Sequence, residues 1–259
     1  MNLDIAYANA DFIPNAADFP PRWAQEAQEF RDGVKNLRLD LAYGDGPRQR
    51  LDLFLPDAPR GLVVFVHGGY WRAFSNKDWS HLAAGAMAQG WAVAMPGYTL
   101  APEARISEIT REVAAAIDHA AGLVPGPLIL TGHSAGGHLV ARMNCEDAAP
   151  TCADRITRIV PISPVGDLRP LVHTEMNTDF RLDRDEAVAE SPTLARDRRG
   201  IATTVWVGAE ERPAFLDQAR ELADAWDEAT LCIAPGRHHF DVIEPLADPA
   251  SSLTRTLLA

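Results

Sequence analysis

Cysteine is scarce in this sequence, and its three cysteines, Cys145, Cys152 and Cys232, include no C-x-x-C pair. An odd number without that spacing argues against a disulfide framework and against a zinc site. The sequence has no uninterrupted run of roughly 18 apolar residues, and its first residues have neither the basic region nor the apolar run of a secretion signal. We therefore expect a soluble cytoplasmic protein that needs no metal and contacts no membrane.

Basic residues are also in the minority, with 24 Lys and Arg against 36 Asp and Glu and a net charge of -12. Such a charge disfavours nucleic acid and anionic membranes as partners. Hydrophobic residues make up 47% of the chain, which has no repeat, low-complexity tract or linker. We expect one domain spanning residues 1–259, and homodimer formation is left open.

Short apolar runs alternate with longer helical patterns, which predicts βαβ units around a mostly parallel sheet with helices on both faces. The predicted strands are 37–44, 48–56, 61–69, 91–97, 126–132, 156–163, 203–208 and 229–236, the first two forming an antiparallel edge hairpin. The predicted helices are 77–89, 102–120, 136–144 and 213–225, with Pro102 and Pro213 in first turns. We expect residues 1–36 to be an N-terminal capping segment, and about 164–200 to form a small irregular cap with short helices.

The stretch GHSAG, residues 132–136, places a serine between two glycines after an apolar strand and before a helix. In this context G-x-S-x-G predicts a nucleophile elbow, in which Ser134 has a strained backbone and its Oγ projects at the carboxyl edge of the sheet. A Cβ at either glycine would meet the adjoining strand or helix. The alternative is a glycine-rich turn that binds phosphate at a helix N-terminus.

The stretch HGGYW, residues 67–71, follows another apolar strand and predicts a loop whose N–H groups hold an oxyanion. We assign this role to Gly69 and Tyr70, together with Ala135, which follows the serine. His67 is expected to be structural. Tyr70 and Trp71 are also candidates for an apolar wall that binds substrate, although packing is the more common role for such a tryptophan.

A serine nucleophile needs a base and an acid, which follow it in chain order in this kind of site. The base is predicted to be His239, with His238 as the alternative, because 240–246 looks like the start of an apolar helix that would anchor it. The acid is predicted to be Glu211, after the strand 203–208, with Glu210 as the alternative.

Together with YTLAPE at 98–103, these motifs resemble the α/β-hydrolase fold. Within that fold the chain resembles the arylformamidase (kynurenine formamidase) and esterase branch near the hormone-sensitive-lipase group. The resemblance covers nearly the whole chain. It implies an α/β protein in which Ser134, Glu211 and His239 are the nucleophile, acid and base, with no cofactor and no metal.

We therefore expect a serine hydrolase that cleaves a small ester or aryl formamide through an acyl-enzyme. A thioesterase or deacetylase that uses the same triad is the alternative within this chemistry. A non-catalytic ligand-binding protein is the alternative outside it, because a fold does not fix a function.

Overall fold

A computed structural model describes residues 2–259 and contains a single eight-stranded sheet. The strands are β1 Leu37–Ala42, β2 Arg50–Phe54, β3 Leu62–Val66, β4 Ala92–Pro96, β5 Leu128–His133, β6 Ile156–Ile162, β7 Thr203–Gly208 and β8 Ala229–Ala234. Their order in the sheet is β1-β2-β4-β3-β5-β6-β7-β8. β1 and β2 pair antiparallel, β2 pairs antiparallel with β4, and the remaining neighbours are parallel. The predicted strands and edge hairpin are confirmed.

Nine α-helices flank or cap this sheet in residues 2–259. They are α1 Leu3–Tyr7, α2 Phe19–Gly33, α3 Ala84–Ala88, α4 Ile106–Leu123, α5 Ala135–Arg142, α6 Asn177–Phe180, α7 Arg184–Ala189, α8 Pro213–Ala225 and α9 Ser252–Leu258. Short 3-10 helices occur at Ala10–Phe12, Ala16–Asp18, Asn76–Asp78, Ser80–Ala83, Ala153–Arg155, Arg169–His173, Pro192–Leu194 and Glu244–Ala247. The region 164–200 therefore contains short helices, as predicted.

Both faces of the central sheet are covered, as the continuous apolar runs require. On β3, Leu62, Val64 and Val66 belong to one hydrophobic cluster. Val63 and Phe65 belong to a second cluster, which includes Trp23 of α2. Because successive side chains of a strand point to opposite faces, these two clusters form the two layers of the core.

Three helix predictions were wrong in their boundaries. The region 77–89 is broken at Trp79, whose backbone is not helical and whose ring is buried against other aromatic rings. The second helix begins at Ile106 and not at Pro102, because the Glu108 carboxylate caps the N–H of Arg105. The segment 240–246 forms turns and the 3-10 helix Glu244–Ala247.

Buried histidines give this fold a predictable sensitivity to acid. Burial lowers the pKa of His67 to about 4 and that of His138 to about 3. Both rings are therefore neutral in the folded protein, whereas in the unfolded chain they bind protons below about pH 6.5. The stabilising effect of the neutral rings is complete above that pH and is lost as the pH falls from about 6.5 towards 4.

We expect the free energy of unfolding to fall by about 1.4 kcal/mol per pH unit for each such histidine in that range. Urea unfolding between pH 7.5 and pH 4.5 measures this slope. His138→Gln should make the slope shallower, whereas His173→Gln, at an exposed position, should leave it unchanged. Equal slopes for the wild type and His138→Gln would contradict the prediction.

Candidate active site

The serine of GHSAG lies in a sharp turn between the end of β5 and the start of α5. Ser134 has φ 55° and ψ −115°, a backbone region that residues other than glycine rarely occupy. Its N–H donates to the carbonyl of Ile162 at 2.8 Å, which ties the turn to the neighbouring strand β6. The predicted strained serine at the carboxyl edge of the sheet is confirmed.

The two glycines that frame the serine are required by close backbone contacts. A Cβ at Gly132 would lie 2.4 Å from the carbonyl oxygen of Gly136, and a Cβ at Gly136 would lie 2.0 Å from that of Val66. Neither contact can be relieved by moving a flexible side chain. The prediction that small residues alone permit this turn is confirmed.

His239 and Glu211 are held together in the interior beside this turn. Nδ1 of His239 lies 2.6 Å from Oε2 of Glu211, and the two side chains are 4% and 0% exposed. The imidazole also packs against Phe215 at 4.3 Å between ring centroids. Glu210 is exposed, and the contact with His239 is made by Glu211. Since the carboxylate occupies Nδ1, Nε2 is the nitrogen left for proton transfer.

The neighbouring His238 is engaged elsewhere. Its Nδ1 accepts the N–H groups of Phe240 at 3.1 Å and Asp241 at 3.3 Å. Its ring packs edge-on against Phe19 at 5.4 Å. His238 therefore supports the local turn, while His239 lines the cavity described below.

The other oxygen of Glu211 reveals a contact that sequence reasoning missed. Oε1 of Glu211 accepts the N–H of Gly208 at 2.8 Å and the hydroxyl of Ser163. Ser163 follows directly after β6, at the same edge of the sheet as the other site residues. Its position after a predicted strand is the one sequence feature that points to Ser163, and this feature does not distinguish it from other polar residues that follow strands.

The loop after β3 turns through three successive residues with positive φ, namely Gly69 at 105°, Tyr70 at 49° and Trp71 at 55°. The carbonyl of Gly69 accepts the N–H groups of Arg72 and Ala73, both at 3.0 Å, which closes the turn. Within residues 2–259, the N–H groups of Gly69, Tyr70 and Ala135 have no hydrogen-bond acceptor. Gly69 and Tyr70 also line the cavity described below, whereas Ala135 is 0% exposed.

The two aromatic residues of this loop have different environments. Tyr70 lines the cavity, and its hydroxyl donates to the carbonyl of Tyr7 at 2.7 Å. Trp71 is 0% exposed and packs edge-on against His138 and Phe180. Trp71 is absent from the cavity lining, and its burial favours the packing role over contact with substrate.

A cavity of about 610 Å³ opens over the serine turn. Such a volume suits a small-molecule ligand. Ser134, His239 and Gly69 line it together with side chains from the N-terminal segment, α2 and the cap region. The further lining residues are Asp4, Tyr7, Ala8, Asn9, Ala10, Asp11, Trp23, Tyr70, Arg72, Ala73, Phe74, Trp79, His133, Glu175, Met176 and Phe240.

The charged residues of the cavity wall are mostly acidic. Asp4, Asp11 and Glu175 contribute carboxylates, whereas Arg72 is the single lysine or arginine in the lining. Arg72 is itself paired with Asp179 at 2.8 Å. The wall therefore disfavours strongly anionic ligands.

A second histidine, His133, lies behind His239. Its Nε2 donates to the carbonyl of His239 at 2.8 Å, and the two rings are 4.7 Å apart between centroids. Burial, together with the neighbouring His239, holds the pKa of His133 well below its usual range. His133 is therefore a neutral support for the loop that carries His239.

Among residues 2–259, His, Cys, Asp and Glu form no group of three or more that could hold a metal ion. In the same range, no helix has both the length and the apolar character needed to cross a membrane.

Several known proteins resemble this chain in sequence and in structure. The pattern of the alpha/beta hydrolase family matches residues 63–258. The chain is 30% identical to the kynurenine formamidase of Danio rerio over 247 residues, covering 87% of this chain and 82% of that protein. It is 28% identical to the kynurenine formamidase of Salmo salar over 257 residues, or 90% and 85% of the two chains. A crystal structure from Silicibacter sp. TM1040, of a protein provisionally named a thioesterase, is 56% identical with a TM-score of 0.98 and full coverage of both chains.

Proposed function

Because this chain belongs to the alpha/beta hydrolase family and is a hydrolase of the arylformamidase-like or esterase type, we propose that it cleaves an aryl formamide through a covalent serine intermediate. The observation that carries the proposal is the 2.6 Å contact between His239 and Glu211, beside a cavity that His239 shares with Ser134. A nucleophile, a base and an orienting carboxylate are the groups that acyl transfer requires.

In the proposed reaction, Oγ of Ser134 attacks the formyl carbonyl carbon while Nε2 of His239 takes the hydroxyl proton. Glu211 holds the ring through Nδ1 and stabilises the imidazolium that forms. The carbonyl oxygen becomes an oxyanion, which accepts the N–H groups of Gly69, Tyr70 and Ala135. Each such donor typically contributes about 3 kcal/mol to lowering the barrier.

The collapse of this intermediate breaks the C–N bond, and His239 returns its proton to the departing aryl amine. Water then attacks the formyl-serine ester, giving its proton to His239. Formic acid leaves and ionises to formate in solution, and Ser134 Oγ recovers the proton from His239. The acyl side needs little room for a formyl group, so most of the cavity is available to the leaving group.

The cavity wall supports an aromatic leaving group. Six aromatic side chains from three separate parts of the chain line it. Tyr7 and Trp23 come from the N-terminal part, Tyr70, Phe74 and Trp79 from the part after β3, and Phe240 from the part after β8. Aromatic rings gain from packing against one another beyond the burial of their area. The named relatives are kynurenine formamidases, and N-formylkynurenine, an aryl formamide, is the substrate we propose.

A thioesterase is the second candidate, favoured by the 56% identity to the protein that bears that provisional name. The same serine could attack a thioester carbonyl. However, coenzyme A carries several phosphate charges, and the acidic wall formed by Asp4, Asp11 and Glu175 would repel them. We therefore rank aryl formamides above coenzyme A thioesters.

The test compares kcat/KM for N-formylkynurenine, p-nitrophenyl acetate and acetyl-coenzyme A on one protein preparation. We expect N-formylkynurenine to exceed acetyl-coenzyme A by about 100-fold or more, which corresponds to roughly 3 kcal/mol of transition-state binding. Ser134→Ala, purified in parallel, measures any contaminating hydrolase. A preference for the thioester would contradict the assignment of the formamide, although it would leave the serine mechanism standing.

A further inference from the structure

Ser163 is a buried serine whose place in the fold is unusual. It follows the last residue of β6, is 0% exposed, and has φ 48°. Its N–H donates to the carbonyl of Trp206 in β7 at 2.6 Å. A left-handed backbone costs a residue other than glycine roughly 1 kcal/mol. Glycine would serve at lower cost if the backbone alone mattered, so the side chain of Ser163 requires an explanation.

The hydroxyl of Ser163 is directed to the acid of the proposed triad. It donates to Oε1 of Glu211, and the N–H of Gly208 donates to the same oxygen at 2.8 Å. The second oxygen, Oε2, lies 2.6 Å from Nδ1 of His239. Two donors on one oxygen and one on the other fix the plane of the carboxylate.

A glutamate needs this restraint more than an aspartate would. Its side chain has one more rotatable bond, and its terminal torsion has a broad energy profile. The Gly208 donor is the last residue of β7, which leads into the segment of Glu211, so it restrains the carboxylate from its own part of the chain. Ser163 lies directly after the neighbouring strand β6, so its hydroxyl adds a second restraint from a different part of the chain.

We propose that Ser163 is a positioning residue, whose hydroxyl holds the Glu211 carboxylate so that Oε2 stays against Nδ1 of His239. The proposal rests on the proposed function, since it presupposes that the Glu211 and His239 pair takes part in acyl transfer. Ser163 is absent from the cavity lining and acts through Glu211 alone.

Two variants separate the hydroxyl from the backbone. Ser163→Ala removes the hydroxyl and keeps the strained conformation, whereas Ser163→Gly removes both the hydroxyl and the strain. We expect both to lower kcat for p-nitrophenyl acetate by about 10- to 100-fold, the effect of losing a hydrogen bond to a charged group. KM should change by less than about twofold, because substrate binding is untouched.

The pH dependence of kcat/KM distinguishes a positioning role from a purely structural one, because a purely structural role would leave the acidic limb unchanged. Without the Ser163 hydroxyl, the carboxylate is free to turn from the imidazole, so the imidazolium is less stabilised. We expect the acidic limb of kcat/KM to move to lower pH by about half a unit. Two titratable groups near this pair are His133, beside His239, and Tyr70, near Glu211, and neither changes charge in the variants. The pKa of His133 is well below its usual range and that of Tyr70 well above it.

A double-mutant cycle tests whether the effect passes through Glu211. In the Glu211→Gln background, adding Ser163→Ala should lower kcat by less than about twofold further, because the group that Ser163 positions has already been altered. Thr203→Val is a matched control, since it removes a buried hydroxyl that donates to the carbonyl of Ile201 at 2.9 Å. This control should keep the wild-type kcat and pH profile.

The outcomes separate this proposal from the proposed function. Wild-type kcat and an unmoved acidic limb in both Ser163 variants would overturn the positioning role, even if Ser134→Ala is inactive. Additive losses in the double mutant would overturn it as well. Full activity of Ser134→Ala would instead refute the proposed function. If Ser163→Ala fails to fold, Ser163→Gly, which keeps the required backbone, decides the question.

Discussion

Ser134→Ala is expected to reduce kcat for N-formylkynurenine and for p-nitrophenyl acetate by about 10⁴- to 10⁶-fold. The range is that of serine hydrolases that lose their nucleophile and retain only oxyanion binding. Alanine fits the site sterically, since Ser134 already holds φ 55° with a Cβ present. The variant should therefore keep the wild-type unfolding midpoint. Steady-state rates and urea unfolding of the same samples check both expectations.

A fluorophosphonate probe gives an independent reading of the same residue. The folded wild type should gain one adduct, located on Ser134 by peptide mass spectrometry, whereas Ser134→Ala should gain none. Wild-type protein unfolded in urea is the control, because an ordinary serine without its base and oxyanion donors does not react. A fully active Ser134→Ala, or labelling that survives unfolding, would contradict the assigned nucleophile.

His239→Ala is expected to cause a loss of similar size, about 10⁴-fold or more in kcat. The ring lies between Glu211 and the cavity, and no other imidazole in the cavity wall contacts a carboxylate. His133 also lines the cavity, but its Nε2 is engaged with the carbonyl of residue 239. Removing the ring leaves a space beside the cavity, so added imidazole should restore part of the rate.

His238→Ala is the matched control for this prediction. It removes the adjacent imidazole, which accepts two backbone N–H groups and lies outside the cavity lining. We expect it to lower stability modestly and to keep most of the wild-type kcat. If His238→Ala were the inactive variant and His239→Ala the active one, the assignment of the base would be reversed.

Much of the architecture could be read from local patterns. Continuous apolar runs predicted the central strands, because a strand covered on both faces has apolar side chains on both of them. The glycines around Ser134 predicted the strained turn, since the contacts that exclude a Cβ come from adjoining elements. The helix boundaries were less predictable: Trp79 is helix-compatible by itself, and its burial among aromatic rings from distant segments interrupts the helix.

Within the site, adjacent residues of one type were the hardest to separate. Glu210 and Glu211 have the same chemistry, as do His238 and His239. A shift of one residue along a loop decides whether the side chain points into the protein or into solvent. The contact at 2.6 Å between Glu211 and His239 distinguishes them in the structure. Trp71 shows the opposite case, since it follows the cavity-lining Tyr70 in the loop after β3 and is itself buried in the core.

The sequence by itself determined the strand order along the chain, the strained turn at Ser134 and the candidate residues in the order nucleophile, acid and base. These features depend on backbone conformation and on hydrophobic patterns within short segments. Only the tertiary structure decided which glutamate meets which histidine, that Trp71 is buried, and that the hydroxyl of Ser163, directly after β6, donates to Glu211. The contacts among Ser163, Glu211 and His239 join the segments that follow β6, β7 and β8. These segments are distant in the chain and meet because parallel neighbouring strands end at the same edge of the sheet.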